Sequence, residues 1–219
     1  MNVSSLERRQ SAMIRLSTGI AGARDEIEIC QSVVDGLRDD ALGYNFVGVF
    51  LLDEETGERV LRASVGWDGG PRGYRLHPGE GLSERPLLDG TMHYTADVRG
   101  DTRFVPGPVR GSELDLPLVV DGTVEGVLVV ESAEAGAFDD EDFDILTAAA
   151  QQTGLAIGRA RLLAAERRRA NEQKALLDTL ADVTTELDLS RLLQSMLERS
   201  VRWWRAPRPA RSTTRISTS

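Results

Sequence analysis

The sequence predicts an α+β fold: an antiparallel sheet of five to six strands, flanked by N- and C-terminal helices and left by one long exit helix. Three observations carry this expectation. Leu114–Glu131 holds two apolar runs joined by Asp121-Gly122, and such a pair between apolar runs marks a tight hairpin because both residues tolerate positive φ. Two amphipathic helical patterns precede the first apolar run. A third helical pattern, from Asp142 to about Leu187, follows the last one.

Taken in order, Ser4–Gly22 carries Leu6, Met13, Ile14, Leu16 and Ile20 between charged residues, which is the spacing of an amphipathic helix. A second helix is expected from Arg24 to Leu42, with Ile27, Ile29, Cys30, Val33, Val34 and Leu37 as its apolar side. Asp25 and Glu26 suit its first turn, where exposed amide dipoles favour negative charge. Phe46–Leu52 and Arg59–Val65 form a hairpin around Asp53–Gly57, and Tyr74–His77 is short enough for an edge strand. Pro78–Gly111 is the least regular region, with a short helix expected at Ser83–Leu88 and a strand at Thr91–Thr95. Pro106-Gly107-Pro108 ends whatever precedes it. Long irregular stretches inside a domain often carry function, so a ligand is expected here.

In the closing hairpin, Leu114, Leu116, Leu118 and Val120 alternate onto one face. Val127–Val130 is apolar on both faces, as in a central strand covered on both sides. Phe138–Phe143 then reads as a helix cap. Within the long helix Ala156, Leu163, Ala170 and Leu177 recur seven apart, with Ala160, Gln173 and Leu180 partly filling the companion positions. This weak seam suits a parallel signalling helix in a dimer. A single solvated helix, with its basic run Arg167–Arg169, is the alternative.

The net charge of −9 hides an asymmetry. Residues 202–219 hold five arginines and no acids, which leaves −14 on residues 1–201. An acidic body disfavours contact with a phosphate backbone, so no nucleic acid is expected. No run of 18 apolar residues occurs, and the N-terminus lacks the apolar core of a signal peptide. No membrane association and a cytoplasmic location are therefore expected. Cys30 is the only cysteine, which excludes an intrachain disulfide and reads as a buried packing thiol.

Cys30–Asp35 lines up with Leu193–Glu198, and Leu16 with Leu180. A repeat at this spacing implies a second copy of the domain beginning near residue 176; chance likeness between amphipathic helices is the alternative. The segment from Val201 onward has no strand alternation. It is expected as a disordered basic tail and a candidate frameshift product, since another frame over Ala210–Ser217 can spell Ala-Ile-Tyr-His-Ala-Asp-Leu, much like the first strand.

Phe46–Asp53, Gly79–Leu82, Tyr94–Val98, Leu116–Leu118 and Glu131-Ser132, in this order and spacing, resemble the GAF domain of bacterial signal-transduction proteins over about residues 10–160. The resemblance implies a PAS-like/GAF fold and a small-molecule pocket under the sheet face away from the helices. It implies a homodimer through the terminal helices. It also implies a ligand-driven shift of those helices that biases an output domain of histidine kinase, nucleotide cyclase or phosphatase type. The expected organisation is an N-terminal helix (1–22), the GAF sensor (23–160), a coiled-coil linker helix (161–180), the first helices of a truncated second GAF domain (181–201), and the tail (202–219).

The expected function is sensing of an unknown small molecule without catalysis and without a cofactor or metal. A ligand-free structural dimerisation module is the alternative. Family members that reduce free methionine sulfoxide need several pocket cysteines, and bilin-binding members need one near the pocket helix; Cys30 serves neither. The cyclic-nucleotide pattern of the family is missing, and His77 and His93 read as strand surface or lining residues rather than haem ligands. Trp67, Tyr74, Tyr94 and Phe104 can supply the aromatic walls that small-molecule sites commonly need, or can fill the core. Glu80, Leu82, Asp97 and Arg103 complete the expected pocket, with Asp97 and Arg103-Phe104 matching the family's strand-end motif.

Overall fold

The computed structural model describes residues 3–38, 42–67 and 73–205. Two helices lead in, α1 (Val3–Gly22) and α2 (Glu26–Leu37). Strands β1 (Phe46–Leu52), β2 (Arg59–Val65), β3 (Arg75–Leu76) and β4 (His93–Thr95) follow, with the short helix α3 (Arg85–Asp89) between the last two. The hairpin β5 (Ser112–Val120) and β6 (Thr123–Ser132) then leads to α4 (Asp140–Arg205). The six strands form one antiparallel sheet in the order β3-β2-β1-β6-β5-β4. The fold is the expected one: a six-stranded antiparallel sheet with flanking helices and a long C-terminal helix.

Local chemistry explains the boundaries. Asp25 is the N-cap of α2, its carboxylate accepting from the Glu28 N–H at 2.9 Å, so it stands before the first turn rather than in it. The helix leaves at Leu37, short of the expected Leu42. Arg38 is its C-cap, its N–H bonding the Val34 carbonyl, and residues 39–41 of the expected span lie outside the described residues. Asp121 (φ 49°) and Gly122 (φ 86°) both take positive φ, so the β5–β6 turn forms as expected.

Strand alternation and a bulge in β2 give the sheet its two faces. Val49 pairs with Ala63 but Phe50 with Leu61, so Arg62 is an extra residue bulged out of β2. The bulge turns Ala63 and Val65 towards the helices while Leu61 and Arg59 point to the opposite face. On the helix side, Val47, Val49, Leu51, Leu114, Leu116, Leu118, Leu128 and Val130 pack with Leu16, Val33, Leu146 and Ile157. Helix α4 comes unusually close to β5: a Cβ on Gly154 would lie 2.2 Å from the Val119 carbonyl oxygen, so only glycine fits. The start of α4 is fixed by reciprocal bonds, Asp142 N–H to Asp139 Oδ1 at 2.9 Å and Asp139 N–H to Asp142 Oδ2 at 3.0 Å.

The chain divides into two units, residues 1–164 and 165–219. In the second unit the backbone is helical through Arg205. The two separate leading helices expected within 176–201 are therefore one uninterrupted helix. The physical reason is local: Gly22 and the capping Asp25 break the chain between α1 and α2, whereas no Gly or Pro occurs from Arg159 to Arg205. The basic tail from Ala206 and the centre of the Gly66–Gly73 connection lie outside the described residues. No helix among the described residues is long and apolar enough to cross a membrane.

Candidate functional site

The sheet face turned away from the helices has its own apolar cluster of Phe46, Phe50, Leu61, Leu76, Val109, Val127 and Val129. Over it lies a small, partly open space of about 40 Å³. Phe46 and Phe50 form its floor with Val129. One wall is aromatic: Trp67 meets Phe46 edge-on at 6.1 Å between centroids and Tyr74 at 5.2 Å. The turn Gly81–Ser83 and the loop Val105–Pro108 close the top. Glu113 and Glu131 complete the lining.

Polar groups on this face are buried to an unusual degree. Arg59 has no exposed surface. Its guanidinium donates to Ser83 Oγ, to the Glu80 carbonyl and to the His77 carbonyl (3.2 Å), and lies 3.1 Å from the Glu84 carboxylate. It thereby holds the Pro78–Glu84 turn against the sheet. Burial pushes its pKa down while Glu84 pulls it up, and an arginine keeps its charge under such a shift.

Three carboxyl groups stand beside it, and two of them, Asp115 and Glu131, hold oxygens without a donor. Glu113, Asp115 and Glu131 are 5%, 1% and 8% exposed. Glu113 and Glu131 face each other directly across β5 and β6, where like charges repel. Burial pushes Glu131 up to about 8, and Glu113 next to it adds to the shift. Burial also pushes Glu113 up to about 7, and raises Asp115, with Glu113 as the second cause. Apart from a proton shared with Glu113, no donor among the described residues reaches either Asp115 oxygen, nor Glu131 Oε2. A buried carboxyl without a donor is costly when charged and so keeps its proton.

The eight residues expected at the site divide. Trp67, Tyr74 and Leu82 line the space. Glu80 closes the adjacent turn instead, its carboxylate accepting from the His77 N–H at 2.9 Å. Asp97 is exposed, caps a short 3₁₀ turn and pairs with Arg99, which pulls its pKa down to about 2. Arg103 is exposed and forks onto Asp101 at 2.8 and 3.0 Å, and half-buried Phe104 stands beside the lining rather than in it. Tyr94 lies on the other side of the sheet. It pairs with Leu114 in the ladder, so it shares Leu114's helix-facing side and packs edge-on against Phe138 and Phe143. His77 and His93 pair with Glu58 and Asp89, each at 2.7 Å, away from the lining. Cys30 is buried on the helix side, where burial pushes its thiol up to about 12.

Arg59, Glu113, Asp115 and Glu131 were outside the expected set, yet a signal for two of them exists. If Leu114 and Leu116 face the helices, Glu113 and Asp115 must face the other way. The apolar-on-both-faces reading of Val127–Val130 already implied that this other side is covered.

Comparison with known proteins agrees with this architecture. The GAF domain family matches residues 23–158. Protein YtsP of Bacillus subtilis is 30% identical over 104 residues, which cover 47% of this chain and 62% of YtsP. The chain thus matches somewhat less than two thirds of that curated relative's length. Among solved structures, the GAF domain of Acinetobacter phosphoenolpyruvate-protein phosphotransferase superposes with a TM-score of 0.63 at 22% identity, covering 74% of this chain and 97% of that one. The free methionine-R-sulfoxide reductase of Neisseria meningitidis, in complex with its substrate, gives 0.65 at 22% identity, covering 74% and 95%. This chain belongs to the GAF domain family.

Proposed function

From that membership as premise, we propose that the chain is a non-catalytic sensor, binding a small molecule on the sheet face opposite the helices and relaying occupancy into α4. The observation that supports it most is the set of three buried carboxyl groups beside an aromatic wall, two of them with oxygens that no donor reaches. A face with only a structural role gains nothing from Glu113, Asp115 and Glu131, since hydrocarbon of the same volume would be more stable. The relay has a short path. Glu131 is the penultimate residue of the strand that leads through Ala133–Asp139 into α4, and Ser112 Oγ donates to the Glu134 carbonyl at 2.8 Å within that connection. Ordering of the Gly66–Gly111 loops around a ligand would shift this connection only insofar as the ligand binds the two states unequally.

The likeness to methionine sulfoxide reductases carries the fold alone. Reductase chemistry of that kind is disfavoured because the chain's single thiol is buried on the helix side and held protonated by burial. A second reading, the ligand-free dimerisation module, is favoured by one observation: about 40 Å³ is room for roughly one water molecule. A homodimer fits either reading. A groove of about 480 Å³ between α1, the start of α2 and α4 is lined by Ile20, Ile29, Leu155, Ala156 and Leu163, and Leu155 and Leu163 are exposed.

A thermal-shift screen of the whole chain against a metabolite library separates the readings. The sensor reading expects at least one compound to raise Tm by several degrees, with the rise lost in Phe50→Trp, which fills the space. The module reading expects no compound to shift Tm. Sedimentation then reports the dimer: Leu155→Glu should give monomers at concentrations where the unaltered chain is dimeric, and an unchanged mass would remove that interface.

A further inference from the structure

We infer that the pocket takes a molecule with a positively charged nitrogen, an ammonium or amidinium on an apolar or aromatic body, seated between Glu113 and Glu131 under the Val105–Pro108 loop. The inference rests on the pocket being a receptor site at all.

Charge and geometry both point to this class. Glu131 Oε1 lies beneath the loop, where a Cβ on Gly107 would approach it to 3.5 Å, and the Val109 backbone N–H bonds the same carboxyl. Glu131 Oε2 lacks any donor although the residue lines the space and is more than nine-tenths buried. The charged groups packed around the trio do not supply one. From β2, the two terminal nitrogens of Arg59 are taken up by Ser83, Glu84 and two carbonyls, and its Nε bonds none of the three carboxyls. From α3, Arg85 lies 3.6 Å from Asp101. The remaining neighbours, Glu80, Glu84 and Asp101, are acids. Acids thus outnumber cations around the space, so once a carboxyl ionises on ligand entry the surplus charge is negative, which suits a cationic ligand better than an anionic one.

A metal ion fits less well than an organic cation. No group of three His, Cys, Asp or Glu side chains among the described residues has metal-binding geometry. An organic cation needs only two of the acids and gains from the aromatic wall, because a cation over the Phe46 or Trp67 ring is attracted by the ring quadrupole. Its apolar body would lie along Phe50 and Val129, displacing the Val105–Pro108 loop outward from its closed position.

Proton balance follows from the same arrangement. The empty site holds protonated carboxyl groups; entry of R–NH₃⁺ ionises one, a proton leaves to solvent, and the charge of the site is unchanged. Binding therefore strengthens as pH rises towards 8 and releases about one proton per ligand below that.

Matched probes test this on the whole chain: phenethylamine and tryptamine against their neutral counterparts 2-phenylethanol and tryptophol, by calorimetry at about pH 6 and pH 8. The expected result is at least one amine binding about tenfold or more tighter than its alcohol at pH 8, and at pH 6 heats that differ between phosphate and imidazole buffers by the ionisation heat of roughly one proton. Glu131→Gln should remove the preference while leaving the alcohol's affinity in place. Glu113→Gln provides the same test should Glu131→Gln fold poorly. Alcohols binding as tightly as amines, or a preference surviving both variants, overturns the cation class while leaving the receptor reading intact. If neither series binds and the metabolite screen is also blank, the receptor reading falls and this inference with it.

Discussion

The two faces of one sheet follow opposite rules. Towards the helices, Leu114, Leu116, Leu128 and Val130 form a continuous hydrocarbon core with small residues, Ala149 and Gly154, where α4 comes close. Towards the pocket, residues of the same strands one position away are Glu113, Asp115 and Glu131. The first face does what a fold requires. The second breaks the rule that buried polar groups find partners, and such breaks concentrate at functional sites. The difference is the ground for proposing a site on the second face, whose apolar cluster surrounds polar groups that the first face lacks.

The contrast can be broken by substitution. Leu116→Ala on the helix side should lose about 2–5 kcal/mol in denaturant unfolding, from lost transfer energy plus the cavity left behind. A loss under about 1 kcal/mol would mean that this face is not the packed one. Arg59→Met removes the one fully buried cation among the described residues and should cost about 2–3 kcal/mol by stranding Glu84 and freeing the Pro78–Glu84 turn. Proteolysis should then cut first within that turn.

Smaller effects sharpen the comparison. Glu113 and Glu131 hold protons in the folded chain up to about pH 7 and 8, whereas the ordinary carboxyl value is 4.5. The folded state therefore binds more protons than the unfolded chain across that window, and stability should fall as pH rises from about 5 to 8. Glu131→Gln should flatten the fall and be more stable than the unaltered chain at pH 8, by about 1–2 kcal/mol. A Tm that rises over the same range would contradict the burial argument. The smallest effect concerns the turn: Gly122→Ala, at φ 86°, should cost about 1 kcal/mol without altering either face.

Much of the fold was legible in the sequence because it is written locally. The alternation and flanking turn residues define β1 and β2 to the residue, and Asp121-Gly122 places the last hairpin. The pocket was less legible because burial there is not local. Nothing in Glu113 or Asp115 shows that the loop Val105–Pro108 will cover them, and nothing near Arg62 signals the bulge that swings Arg59 inward. Tyr94 was placed in the pocket for its aromatic ring, but its side is set by pairing with Leu114 across a strand boundary. The repeat expected near residue 176 rests on a short alignment of Cys30–Asp35 with Leu193–Glu198, which carries no Gly or Pro to break the helix there.

Carboxyl-carbon NMR of the unliganded chain across pH 3 to 10 tests the central claim most directly. Two glutamates should titrate near 7 and 8, far above the other carboxyls, and assign to Glu113 and Glu131; saturating a binding amine probe should lower at least one of those midpoints. If every glutamate titrates between about 3 and 5, the pocket face is an ordinary solvated surface and the contrast between the two faces does not exist.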